Sequence, residues 1–474
     1  MRLILSAGAV LIVAASAGAQ PRPDPAELPA LRYELGQRLK RFETAWEKHT
    51  NPESRRSALG HVQKLTQQFF AFQFDEAARS LDRAGFALVS DDEPSVSRQW
   101  AWSLYAVPET RVVDGSAKEL TVTVKQLYAV KGDAPKGLEV QFWFTDKQVT
   151  VLKPDKFPLV VKVPLPPLGD FKGLDRKLYF MVEAGKELRH TAIGISQVAD
   201  LAARVAALKK QVTEWAEIDT IEKATARDRA ALLQGLVAGT TPETDLPAAD
   251  LLANAEAMLD GKPFFTASKP GQFWLSVPTG GKSATPVRLF VPRGLDEKRP
   301  VPVVVALHGA GGSENLFFEG YGAGQVVTEC RKRGWLLIAP RSGLGLVGPS
   351  PVPALLDELA KRYPIDPKRV FVVGHSMGAK QAVDLVQKHP AKFAAVAALG
   401  GAGAVSDVKP FAGLPTFVGV GEKDALALGA ARGLNKALAG AKKLTYKEYP
   451  HVEHMVIVRE ALSDVFAVFD GAAK

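Results

Sequence analysis

The chain has a single cysteine, Cys330, in 474 residues. An intramolecular disulfide is therefore excluded, and stability must come from core packing. Cys330 lies between Val327 and Trp335 in a helix-like stretch with no candidate base near it in sequence. It reads as a buried thiol rather than a nucleophile. Beyond the first twenty residues, no run is long and apolar enough to cross a bilayer. Neither G-x-x-x-x-G-K-[ST] nor a dinucleotide fingerprint occurs, so a phosphate-cradling loop lacks support. Charge of one sign is not concentrated either. Lys and Arg number 60 against 51 Asp and Glu, a formal +9. The densest spots are Arg38, Lys40 and Arg41, and Arg55 with Arg56. None is interleaved with aromatics, so they read as solvated helix faces and nucleic acid is not expected as a partner.

What is present is the composition of a soluble globular protein, 46% hydrophobic and 23% charged, long enough for two or three domains. Arg2, the apolar run Leu3 to Ala15 and the small-x-small Ala17-Gly18-Ala19 read as a secretory signal peptide over residues 1–20. The expectation is an exported protein, periplasmic or secreted, with no integral membrane segment in the mature chain.

A helical segment is expected over 21–92. Leu31, Leu35, Leu39 and Phe42 recur at three or four, and Asn51-Pro52 breaks the pattern. Phe69, Phe70, Phe72 and Phe74 read as core rather than a binding site. Over 93–197 the period shifts to two. Strands are expected at 120–124, 140–144, 159–163 and 178–182, in a small antiparallel sandwich or barrel acting as a β-rich accessory module. Val198, Leu201, Val205, Leu208 and Val212 open a helical connector over 198–260 that packs on its own chain. From 261 to 474 strands alternate with helices, which implies a mostly parallel sheet covered on both faces. The fold class is α/β, with helical and β-rich parts before the C-terminal sheet.

Gly374-His375-Ser376-Met377-Gly378 fits G-x-S-x-G. A β-branched run, Val370 to Val373, precedes it, and Ala382, Val383, Leu385 and Val386 follow at helical spacing. Strand, tight turn and helix form the context that makes Ser376 a candidate nucleophile. A serine hydroxyl needs a general base, an orienting acid and an oxyanion hole. Asp424 follows the strand at 417–420 and is the preferred acid, with Glu422 as the alternative that more plausibly shapes its loop. His454 is the preferred base over His451, both lying after the strand at 444–449. The strand at 301–307 runs into His308-Gly309-Ala310-Gly311-Gly312, where the N–H groups of Ala310 and Met377 would hold an oxyanion. His308 and Gly309 are candidate pocket residues, with His308 also suited to bracing the loop. Arg341, opening a glycine-rich loop to Gly348, could bind a substrate carboxylate or form a salt bridge. No large insertion separates the core strands, so a big lid is not evident.

These motifs, Leu307-His308-Gly309 with Gly374-His375-Ser376-Met377-Gly378 and the order Ser376, Asp424, His454, resemble the α/β-hydrolase superfamily. The stretch from about 285 to 474 is similar to polyhydroxybutyrate depolymerases and feruloyl esterases, to dienelactone hydrolases and to prolyl oligopeptidase catalytic domains. It departs from the depolymerases at Ala310, where they often carry cysteine, and at Lys380. The resemblance implies a serine esterase that cleaves a small or polymeric ester through an acyl-enzyme, with no metal or cofactor. A prolyl oligopeptidase-like peptidase and a non-catalytic binding protein are the other classes.

Overall fold

The computed structural model describes residues 23–145, 149–280, 283–341 and 350–474. The expected signal peptide and most of the Arg341–Gly348 loop lie outside the described residues.

Four helices open the fold: α1 (Leu28–Lys48), α2 (Pro52–Val62), α3 (Leu65–Phe70) and α4 (Phe74–Ala87). Helix α1 buries Leu31, Leu35, Leu39, Phe42 and Trp46 along one stripe. The Asn51-Pro52 break is a helix start. Asn51 caps α2 by accepting from the N–H groups of Glu53 and Ser54, and proline suits the first helical position. The basic residues of α1 are not a solvated face as expected. Arg38 is buried, because it meets the carboxylates of Glu34 and Asp82, and Arg41 is half-buried over the Trp102 ring.

Helix α5 (Val96–Ser103) leads into β1 (Leu104–Pro108), β2 (Val112–Asp114), β3 (Glu119–Gln126), β4 (Glu139–Trp143), β5 (Val149–Leu152), β6 (Leu159–Pro164), β7 (Gly173–Ala184) and β8 (Glu187–Val198). They form a three-stranded sheet, β1-β3-β6, and a five-stranded sheet, β2-β8-β7-β4-β5. Alternate residues such as Val122, Phe142, Val161, Phe180 and Ile195 point into a shared core. All pairings are antiparallel except β2 with β8. Helices α6 (Leu201–Thr213), α7 (Ile221–Val237) and α8 (Ala248–Ala257) follow, and the apolar stripe of α6 packs on its own chain.

The C-terminal sheet comprises β9 (Gly271–Gly280), β10 (Ser283–Val291), β11 (Val301–Leu307), β12 (Leu336–Pro340), β13 (Ile365–His375), β14 (Ala395–Leu399), β15 (Thr416–Gly421) and β16 (Leu444–Tyr449). The order is β16-β15-β14-β13-β11-β12-β10-β9. The last six strands are parallel, and β9 and β10 add an antiparallel edge. Helices α9 (Gln325–Arg333), α10 (Val352–Leu359), α11 (Met377–Lys388), α12 (Leu428–Ala437) and α13 (Ile457–Ala473) cover it. The segment between β11 and β12 is not one helix: a π turn and a 3₁₀ turn precede α9, with Gly322, Ala323 and Gly324 at positive φ. The kink tucks Tyr321 into the core at 2% exposure.

Each sheet face has its own core. One packs against α6, α7, α8, α10, α11 and α12. The other packs against α9 and α13, and the same continuous core takes in Leu31, Leu35, Phe42, Trp46 and Leu81 of the opening helices. Those helices therefore dock on the C-terminal sheet layer.

Candidate active site

Ser376 sits between the end of β13 and the start of α11 with φ of 55° and ψ of −116°. This backbone is strained for a residue with a side chain, and it lifts the hydroxyl off the sheet. The turn is tight enough that a Cβ on Gly374 would overlap the carbonyl of Gly378, and one on Gly378 would overlap that of Leu307. As the first residue of α11, Met377 presents an N–H with no acceptor in its own helix. A Cβ on Gly309 would lie 3.2 Å from the Ser376 Cβ, so the loop after β11 runs directly beside the serine. Ala310 lines the same cavity as Ser376.

Asp424 and His454 follow β15 and β16. The His454 Nδ1–H donates to Asp424 Oδ2 over 2.8 Å, and both residues are buried. The other oxygen of Asp424 accepts the N–H groups of Leu426 and Ala427 at 3.1 and 2.9 Å, which fixes the carboxylate. With Nδ1 donating, the neutral ring has Nε2 as its proton acceptor. Glu422 instead accepts the His451 N–H at 3.3 Å and shapes the loop, and His451 does not line the cavity.

His375, the residue before the serine, is wholly buried. Its Nε2 lies 2.8 Å from the His454 carbonyl oxygen, which can only accept, so Nε2 carries the proton. Nδ1 is then an acceptor and takes the Tyr321 O–H at 2.6 Å. The Tyr321 oxygen in turn faces the Gly309 N–H at a long 3.4 Å. Burial, reinforced by the neighbouring His454 ring, holds His375 well below the ordinary histidine range and keeps it neutral. One directional chain thus ties the loop of Gly309, the serine turn and the histidine loop together. Sequence reasoning missed both Tyr321 and His375. Only the position of His375 inside G-x-S-x-G offered a signal.

His308 and Arg341 do not reach the cavity wall. The His308 Nδ1–H donates to the Gly309 carbonyl at 2.8 Å, bracing the loop. Arg341 is held by Glu314 through two bonds of 2.6 and 2.8 Å.

The cavity over Ser376 measures about 170 Å³. Its far wall comes from the opening helices, with Leu35, Leu39, Leu65, Phe69, Phe70 and Leu81 facing Ser376 and His454. Two expectations change here. Phe69 and Phe70 line the site, while Phe74 is core. The cover that no insertion supplies comes from the N-terminal helices. Among the described residues, no cluster of His, Cys, Asp and Glu could hold a metal.

Residues 353–452 match the sequence profile of the Esterase family, described as "Putative esterase". That match lies within the C-terminal part of the chain, over the segment that carries Ser376 and Asp424. The chain is similar to several solved structures. A thermostable esterase is 17% identical, covering 78% of this chain and 99% of its own, with a TM-score of 0.38. The feruloyl esterase module from Clostridium thermocellum is 12% identical over 44% of this chain and 92% of its own, with a TM-score of 0.37. An S-formylglutathione hydrolase from Staphylococcus aureus is 13% identical over 44% of this chain and 100% of its own, with a TM-score of 0.36. No curated protein sequence matches the chain.

Proposed function

We propose that the chain is an exported serine esterase that cleaves carboxylic esters through an acyl-enzyme on Ser376. The observation that carries this reading is the 2.8 Å bond between His454 Nδ1 and the doubly anchored Asp424, beside a serine at a strained strand-to-helix turn. His454 Nε2 takes the Ser376 proton as Oγ attacks the acyl carbon. The negative charge that develops on the carbonyl oxygen is met by the N–H groups of Ala310 and Met377, and losing one such donor typically costs about 3 kcal/mol of barrier. The tetrahedral species collapses when His454 gives its proton to the departing alcohol oxygen. A water then enters, loses a proton to His454, and releases the acid from Ser376.

A fluorophosphonate probe tests the reading. It should label the wild-type chain and not Ser376→Ala, and the wild type should hydrolyse p-nitrophenyl acetate. Equal labelling of both proteins would remove Ser376 as nucleophile. Cleavage of a proline-containing peptide without ester turnover would favour a peptidase. The signal-peptide reading supports export, and fractionation of a producing cell tests it.

A further inference from the structure

The wall that faces the serine is apolar, and it is not made by the esterase part. Leu35 and Leu39 of α1, Leu65 and Phe69 of α3, and Leu81 of α4 stand across the cavity from Ser376. Four of the five are nearly inaccessible to solvent, so they form an apolar recess beside the serine. Most of its charged lining residues are already paired, Lys40 of α1 being the exception among the described residues. Arg32 pairs with Glu243 at 3.0 Å and also donates to the Gly311 carbonyl. Glu319 binds Arg288 at 2.5 Å and Thr244. A substrate carboxylate or sugar would find few polar groups on this wall, whereas a hydrocarbon would lose only water.

We infer that the substrate is an ester with one apolar arm, a straight chain or small ring, lodged beneath the N-terminal helices, so that these helices set the length preference. The inference rests on the esterase reading above. An apolar cavity of about 150 Å³ accommodates benzene. On that scale the 170 Å³ recess takes a group of about six to eight carbons. Burying each methylene is worth up to about fourfold in kcat/KM.

Two ester series test this on the full chain. The first varies the acyl group of p-nitrophenyl esters from acetate through hexanoate and octanoate to palmitate. The second varies the alcohol of acetate esters, followed by pH-stat. In one of the two, kcat/KM should rise by roughly 10- to 100-fold from two to about eight carbons and then fall. The responsive series identifies which side of the scissile bond enters the recess. Gly36 of α1 lines the cavity, and a Cβ there meets nothing within 4 Å. Gly36 is exposed, so Gly36→Phe should narrow the recess from its open side, lowering the ratio of long-chain to acetate turnover at least about tenfold. Phe69→Ala, as a second variant, should move the optimum to longer chains. A best rate with the shortest member of both series, or a length profile unmoved in both variants, would overturn the inference. Fluorophosphonate labelling of Ser376 with acetate turnover would still leave the esterase reading standing. If labelling and all ester turnover were absent, that underlying reading would fail instead.

Discussion

His375 holds two loops in register with one ring. Its proton sits on Nε2 because the His454 carbonyl can only accept, and its Nδ1 therefore depends on the Tyr321 hydroxyl. Tyr321→Phe keeps the ring that packs against Phe317 and His375 but removes this donor. It should lower kcat by roughly fivefold with little change in KM, since a hydrogen bond of about 1 kcal/mol is lost from positioning rather than binding. Steady-state kinetics on one p-nitrophenyl ester separates the two. Asp424→Asn is expected to cost far more, about 10⁴ in kcat, because an amide can stabilise the wrong tautomer of His454. His454→Ala should cost at least about 10³, and His451→Ala should leave kcat nearly intact. Ser376, Asp424 and His454 were legible because each follows its own strand, and chain order then links them. Tyr321 was not. A tyrosine among glycines says nothing about a histidine 54 residues away.

Helix α1 reads from its sequence as an amphipathic helix, and its apolar stripe is where the spacing puts it. Its charges were misread because a sequence does not reveal partners on other elements. Glu34 joins Arg38 at 2.9 Å to Arg189 of β8 at 2.7 Å, and Asp82 of α4 accepts from Arg38 and from Tyr128. The network ties α1 and α4 to the β-sandwich. Glu34→Ala would leave two guanidinium groups buried without their shared carboxylate. The expected loss is about 3–5 kcal/mol of stability, measured by urea unfolding. Further along α1, Glu43 is buried against the C-terminal layer and its carboxyl is pushed up to about 8, mainly by burial. Glu453, beside His454, is pushed up to about 7 for the same reason. The unfolded chain ionises these groups near 4.5, so it binds fewer protons than the folded chain between 4.5 and 7–8. Stability from both groups is therefore lost as pH rises through that window. Glu43→Gln should raise Tm by roughly 2–4 °C at pH 8.5 and by less at pH 5. An equal gain at both values would exclude the titration.

At the scale of the whole molecule, alternation of strands and helices made the parallel sheet legible. The partner of the opening helices was not, because periodicity identifies an apolar face without saying what covers it. That face belongs to the core of the C-terminal sheet, whose other members lie hundreds of residues onward. Removing residues 23–92 should expose this core and take away the cavity wall. The expected outcome is an insoluble or dye-binding chain inactive on all esters, read by ANS fluorescence and p-nitrophenyl acetate turnover. A soluble truncated chain with full activity would make the helices a detachable appendage. Glu47 at the end of α1 pairs with Arg459 at the start of α13, a separation of 412 residues. During synthesis, then, α1 is made 412 residues ahead of this partner on α13. The part of α1 that meets the C-terminal layer waits while that stretch is translated, when a chaperone has an opportunity to hold it. The cavity over Ser376 acquires all of its walls only after that wait.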